Sequence, residues 1–134
     1  MNTKIIINTD GASRGNPGPA AIGVTLKNSQ EEMVAEISEK IGITTNNQAE
    51  YRALIAGLKK ALSLGAREVE IRADSELMVR QMLGQYRVKN EDLKPLFEEA
   101  RKLLGGMISF KFSAIPRERN KEADKLANQA LDTP

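Results

Sequence analysis

At 134 residues, with 40% hydrophobic and 28% charged side chains, the chain has the size and composition of one soluble globular domain with its own core. A net charge of +2, from 20 Lys+Arg against 18 Asp+Glu, excludes a histone-like polycation, and the absence of cysteine excludes disulfides and thiolate metal sites. No apolar run approaches a membrane span and Met1–Ile7 lacks a signal-peptide core, so a single cytoplasmic domain over 1–134, monomeric and away from membranes, is expected.

Lys4–Asp10 reads as a strand, because Ile5, Ile6 and Ile7 are β-branched and a polar turn follows at Asp10-Gly11. Gly11–Pro19, with three glycines and two prolines, reads as a shaped turn. Ala20–Lys27 and Met33–Ile41 read as two strands of a hairpin joined through Asn28–Glu32. Thr45–Leu64 has helical periodicity, with Leu54, Leu58, Ala61 and Leu62 on one side and Gly65 as its left-handed stop.

Val69–Asp74 is the fourth expected strand, and Ser75–Leu83 a short helix that Asp74 or Ser75 caps. Asn90–Leu104 reads as a helix with Asp92 as N-cap, Pro95 in the first turn, and Gly105-Gly106 closing it. Ile108–Ile115 is a fifth strand and Asn120–Leu131 a last helix. The order β-β-β-α-β-α-α-β-α implies an α/β domain, a mixed sheet with helices packed on it. The chain shows no internal repeat, low-complexity segment or interdomain linker.

Four carboxylates stand out: Asp10, Glu50, Asp74 and Asp124. Each ends an apolar strand or borders the inner face of a helix, where an unpaired charge costs several kcal/mol. Each also has a plainer explanation. Asp10-Gly11 could start a turn, and Glu50 could serve the helix dipole for about 0.3–1 kcal/mol. Asp74 could be an N-cap, and Asp124 a surface acid paired with Lys121 or Lys125. Together, in a chain without histidine, they form a set of hard oxygen ligands suited to a divalent cation and to metal-dependent hydrolysis.

The polar residues around them extend the pattern. Gly15-Asn16-Pro17-Gly18 is either a simple turn or a place where backbone comes close to a substrate. Thr44-Thr45-Asn46-Asn47-Gln48 offers neutral donors at a helix start, for a phosphate, for a sugar hydroxyl, or only for the helix cap itself. Arg117, Arg119, Lys121 and Lys125 surround Asp124 as a solvated face or as a track for a polyanion.

Four motifs in this order carry a resemblance: Asp10-Gly11-Ala12-Ser13 with Gly15-Asn16-Pro17-Gly18; Thr45-Asn46-Asn47-Gln48-Ala49-Glu50-Tyr51; Asp74-Ser75-Glu76; and Asn120-Lys121-Glu122-Ala123-Asp124-Lys125-Leu126-Ala127. Over nearly its whole length the chain resembles type-1 ribonuclease H, in a short form. The resemblance implies a ribonuclease H-like fold, a five-stranded mixed sheet flanked by helices. It implies an endonuclease that hydrolyses the RNA strand of RNA/DNA hybrids, with double-stranded RNA as a second candidate substrate. Asp10, Glu50, Asp74 and Asp124 are then the catalytic and metal-binding carboxylates.

In that reading two Mg²⁺ ions, with Mn²⁺ as the alternative, sit roughly 3.5–4 Å apart, activate a water and stabilise the leaving 3′-oxygen. Asp10 is expected to bridge them, with Glu50 and Asp74 on one ion and Asp124 on the other. Ser13, Asn16, Asn46 and Glu76 are by position the candidates to sense the RNA 2′-hydroxyl, and Arg117 is a candidate for substrate binding.

The chain departs from some members of that family. The histidine on the loop before the last carboxylate is missing, so along the short Ser113–Arg119 segment solvent at the metal site or Arg117 is expected to take its place. The basic, tryptophan-containing protrusion is reduced to Gly84–Asn90, with Tyr86, Arg87 and Lys89, and no hybrid-binding domain is expected. Affinity for hybrid should then be modest and salt-sensitive. Glu76 stands where several members carry glutamine. Competing readings are a resolvase or integrase, a non-catalytic nucleic-acid-binding module, and an actin-like ATPase. The asparagine motifs, the full carboxylate set and the short length respectively argue against them.

Overall fold

Three consecutive isoleucines explain the centre of the molecule. A strand buried on both faces reads as a continuous apolar run, and Ile5, Ile6 and Ile7 are all buried in the computed structural model. The structure describes residues 3–134, so Met1 and Asn2 of the Met1–Ile7 stretch lie outside the described residues. Strand β1 (Lys4–Ser13) is the middle of a five-stranded sheet ordered β3-β2-β1-β4-β5. It pairs antiparallel with β2 (Gly18–Lys27) and parallel with β4 (Glu68–Ala73). Strand β3 (Met33–Thr44) is antiparallel to β2 at one edge, and β5 (Ser109–Ala114) is parallel to β4 at the other. The expected five-stranded mixed sheet is therefore the one observed.

Helix α1 (Asn46–Ser63) packs on β1 and β2, and α4 (Lys121–Asp132) packs on β2, β1 and β3. They lie on opposite faces. Gly11 meets the backbone of α1 at Ala49 and Glu50, whereas Gly23, the ladder partner of Asp10, meets the backbone of α4 at Ala123 and Ala127. Neighbouring residues of a strand point to opposite sides, so Gly11 and Asp10 assign the two faces. Helices α2 (Glu76–Met82) and α3 (Lys94–Leu104) complete the α1 side, with α3 resting on α1. The core there is Ile5, Ile7, Leu54, Leu58, Ile71 and Met78. Burying each such side chain contributes about 1.5–3 kcal/mol.

Several boundaries move from the sequence reading, each for a local reason. Strand β1 continues through Gly11, Ala12 and Ser13 because these pair with Ile22, Ala21 and Ala20, so the irregular segment shrinks to residues 14–17, with a cis Asn16-Pro17 bond. Strand β3 runs past Gly42 to Thr44. Helix α3 starts at Lys94, four residues beyond the expected Asn90, and Asp92 is not its cap. Residues 90–93 form a turn in which the Asn90 side chain accepts from the Asp92 N–H at 2.7 Å. Gly65 has the positive φ of +86° expected at the end of α1, while Gly105 ends α3 in the right-handed region at φ −62°. Among the described residues, no helix is long and apolar enough to cross a membrane.

Candidate active site

Two carboxylates follow directly from strand pairing. Thr9 of β1 and Ala73 of β4 are the last partners of a parallel ladder, so Asp10, still paired with Gly23 of β2, and Asp74, just past the end of β4, lie side by side where β1 and β4 part. Asp74 is free of the capping role that its position suggests. Ser75 supplies the side chain that accepts from the Met78 N–H, at 3.3 Å.

Glu50 reaches the same place from α1. A β-carbon on Gly11 would collide with the Ala49 carbonyl and the Glu50 nitrogen, so only glycine lets the helix come this close. The Gly11 N–H then donates directly to Glu50 Oε1. As a result Asp10, Glu50 and Asp74 each offer a carboxylate oxygen within 4.8 Å of the others, with Asp10 and Glu50 buried.

Asp124 arrives from the other face on α4. Its carboxylate is met by Asn128 Nδ2 at 3.3 Å and by Arg117 at 3.8 Å, and not by Lys121 or Lys125. All four acids line one cleft of about 560 Å³.

The electrostatics of the cleft follow from burial and crowding. Asp10 is pushed up to about 9, first by burial, then by the charges of Glu50 and Asp74 and by Asp124. Glu50 is pushed up to about 8, again chiefly by burial, with the Gly11 N–H acting in the opposite direction. Without a cation the cleft therefore holds protons at neutral pH. Three convergent carboxylates, two of them buried, are a hard oxygen donor set that fits a divalent cation in place of those protons.

The neutral residues divide into two groups. Ser13 and Asn46 line the cleft, and both Ser13 N and Oγ donate to Asn46 Oδ1 at 2.9 Å. Asn16 does not line it. Its Oδ1 accepts from the Asn46 N–H at 3.0 Å, so it holds the α1 entry from behind. Thr45 caps α1 by accepting from Gln48 N, and Thr44 donates to Gln48 Oε1 at 2.6 Å, which leaves Asn46 and Asn47 of that polar run in the cleft. Arg117 lines the cleft, unlike Arg119, Lys121 and Lys125. Glu76 is turned to Arg80 at 2.9 Å and lies outside the cleft lining.

Sequence reasoning did not single out Arg14, Ser75 or Asn128 as lining residues, while Asn47 entered only as one of a run of five candidate donors. Asn128 could have been found, since it follows Asp124 by one helical turn. Arg14, held by Asp132 at 2.6 Å, carries no local signal.

The sheet order, the helices on both faces and the carboxylates gathered where the β1–β4 ladder ends define a ribonuclease H-like domain. Residues 8–130 match the family profile described as "Reverse transcriptase-like". A bifunctional protein of Mycobacterium tuberculosis is 46% identical over 130 residues, which is 96% of this chain and 36% of that protein. Ribonuclease HI of Halobacterium salinarum is 47% identical over 123 residues, 92% of this chain and 62% of that protein. The structure of LC11-RNase H1 in complex with RNA/DNA hybrid is similar at a TM-score of 0.91 and 47% identity, covering 96% of each chain. The present chain thus spans about a third of the mycobacterial relative and about three fifths of the Halobacterium one. It belongs to the type-1 ribonuclease H family.

Proposed function

We propose that this chain is a single catalytic domain over residues 1–134 that hydrolyses the RNA strand of RNA/DNA hybrids, endonucleolytically and with divalent metal. Asp10, Glu50, Asp74 and Asp124 are its catalytic, metal-holding carboxylates. The observation that carries this reading is the convergence of three carboxylates within 4.8 Å where the parallel ladder of β1 and β4 ends. Family membership supports the substrate, since one relative of 47% identity is described in complex with RNA/DNA hybrid.

Bound in the cleft, two Mg²⁺ ions, or Mn²⁺, supply Lewis-acid activation of a water and stabilise the leaving oxygen. Asp10, central among the four acids, would hold such ions together with Glu50 and Asp74 on one side and Asp124 on the other. The chain's remaining residues position the substrate. Arg117 places a cation beside Asp124, where it meets the approaching phosphate. Ser13 occupies Asn46 Oδ1, so the Asn46 amide nitrogen is the donor left for a sugar hydroxyl or a phosphate oxygen.

The test is cleavage of end-labelled RNA/DNA hybrid, duplex RNA and duplex DNA with Mg²⁺, Mn²⁺ or chelator, beside Asp10→Asn. Metal-dependent loss of the hybrid's RNA strand, absent in the variant, is the expected result. Hybrid binding without cleavage in either metal would reduce the chain to a binding module.

A further inference from the structure

Asn120 is one of the most deeply buried polar residues of the molecule, and no step described so far uses it. It occupies the N-cap position of α4, where an asparagine side chain ordinarily accepts from an N–H of the first helical turn. Here it makes no such capping bond. Its amide is turned instead to β1. Nδ2 donates to the carbonyl of Thr9 at 2.9 Å, and Oδ1 accepts from Asn8 Nδ2 at 3.2 Å. At the other end, the Asn120 carbonyl accepts from the Asp124 N–H at 3.1 Å.

Asp10 and Asp124 are thereby joined by a short path. The peptide after Thr9 leads to Asp10, one side-chain bond leads from Thr9 to Asn120, and one backbone bond leads on to Asp124. Gly23 supports the same contact, since it partners Asp10 in the ladder and lies against the α4 backbone at Ala123 and Ala127. An aliphatic residue of equal size would fill the space at Asn120 but could not set the helix along the strand. Groups that hydrogen-bond and orient metal ligands typically change metal affinity or activity about 10- to 100-fold when removed.

We infer that Asn120 is a positioning residue that sets Asp124 against Asp10 and so completes the cation site, at the cost of capping its own helix. The inference rests on the assignment of the four carboxylates made above.

The test is a double-mutant cycle between Asn120→Ser and Asp124→Asn, read by calorimetric titration with Mn²⁺ and by hybrid cleavage. A thermal melt of each variant confirms folding. Asn8→Ala, which removes only the donor to Asn120 Oδ1, provides a second cycle should Asn120→Ser not fold. Asn120→Ser is expected to weaken Mn²⁺ binding and turnover about 10- to 100-fold in the parent chain, and by less than about twofold with Asp124→Asn. Asn8→Ala should give a smaller loss with the same dependence on Asp124. Equal losses with and without Asp124 would overturn the inference, leaving Asn120 a purely structural residue. Because the Mn²⁺ cycle needs no substrate, a chain that binds metal without cutting hybrid would defeat the nuclease assignment while the cycle still decides the role of Asn120.

Discussion

Gly11 and Glu50 touch backbone to side chain and backbone to backbone at once: the Gly11 N–H donates to the Glu50 carboxylate, and the space where a β-carbon would sit is filled by the Glu50 nitrogen. The distance between β1 and α1 is therefore set at the residue that follows Asp10.

Replacing Gly11 with alanine should force α1 off the sheet where Glu50 enters the cleft. Overpacking of this kind costs about 1–3 kcal/mol of stability. Hybrid cleavage is expected to fall by at least about 10-fold, since ligand placement is lost with it. Urea unfolding and steady-state kinetics on one preparation check both effects. Full activity in Gly11→Ala would show that the contact does not govern Glu50.

Metal-free stability should depend on pH in a defined direction. Asp10 titrates near 4 in the unfolded chain and is pushed up to about 9 in the fold, so the folded state holds the extra proton between those values. Glu50 behaves alike up to about 8. Stability is then greatest at the acid end of this window and falls as pH rises through it. Thermal melts with chelator should show Tm declining from pH 5 to pH 9, and Mg²⁺ should restore more of it at pH 9 than at pH 5.

Asp10→Asn should separate stability from activity. It removes the most strongly perturbed acid of the cleft, one that burial and the charges of Glu50 and Asp74 hold in the protonated form. Without metal at pH 8 the variant should melt higher than the parent and show a flatter pH dependence, while hybrid cleavage is abolished. A lower Tm would mean that Asp10 is held by favourable contacts and not by crowding.

Asp74 and Ser75 should differ although they are neighbours. Ser75 caps α2, so Ser75→Ala should cost about 0.5–2 kcal/mol in urea unfolding. Asp74→Asn spares that bond and should leave stability within about 0.5 kcal/mol of the parent, while lowering turnover far more than Ser75→Ala does. Matching stability losses in the two variants would return Asp74 to the capping role.

Arg117 is the cation closest to Asp124 and is largely exposed. Arg117→Ala should weaken hybrid binding and reduce the slope of log affinity against log salt by about one. Binding measured in Ca²⁺ between 50 and 200 mM salt gives the slope directly; an unchanged slope would remove Arg117 from the phosphate contacts.

The legible parts of this molecule were those with local signals. Ile5–Ile7 announced a strand by their β-branching, and Thr45–Leu64 announced α1 with Glu50 at the head of its apolar stripe. Elements were misplaced where the choice between competing hydrogen-bond partners decides. Gly11–Ser13 looks like a turn until Ala20–Ile22 is seen to pair with it, and Asp92 looks like a cap until Asn90 takes its N–H. The four carboxylates could be gathered from sequence because four charges bordering apolar faces need a common explanation. The residues that hold them could not. Asn120 reads only as the start of the last helix, and Glu76 reads as a cleft residue until Arg80, one turn along, is found to draw it away.

The bond between Asn120 and Thr9 closes a loop of 111 positions, and this gives the cleft a birth order. On the ribosome, β1 and its neighbours emerge well before α4, so Asp10, Glu50 and Asp74 are present in the nascent chain long before Asp124 joins them. Within this sequence the acids of β1, α1 and β4 thus precede their fourth companion, and the cleft gains its full lining only when α4 docks against β1.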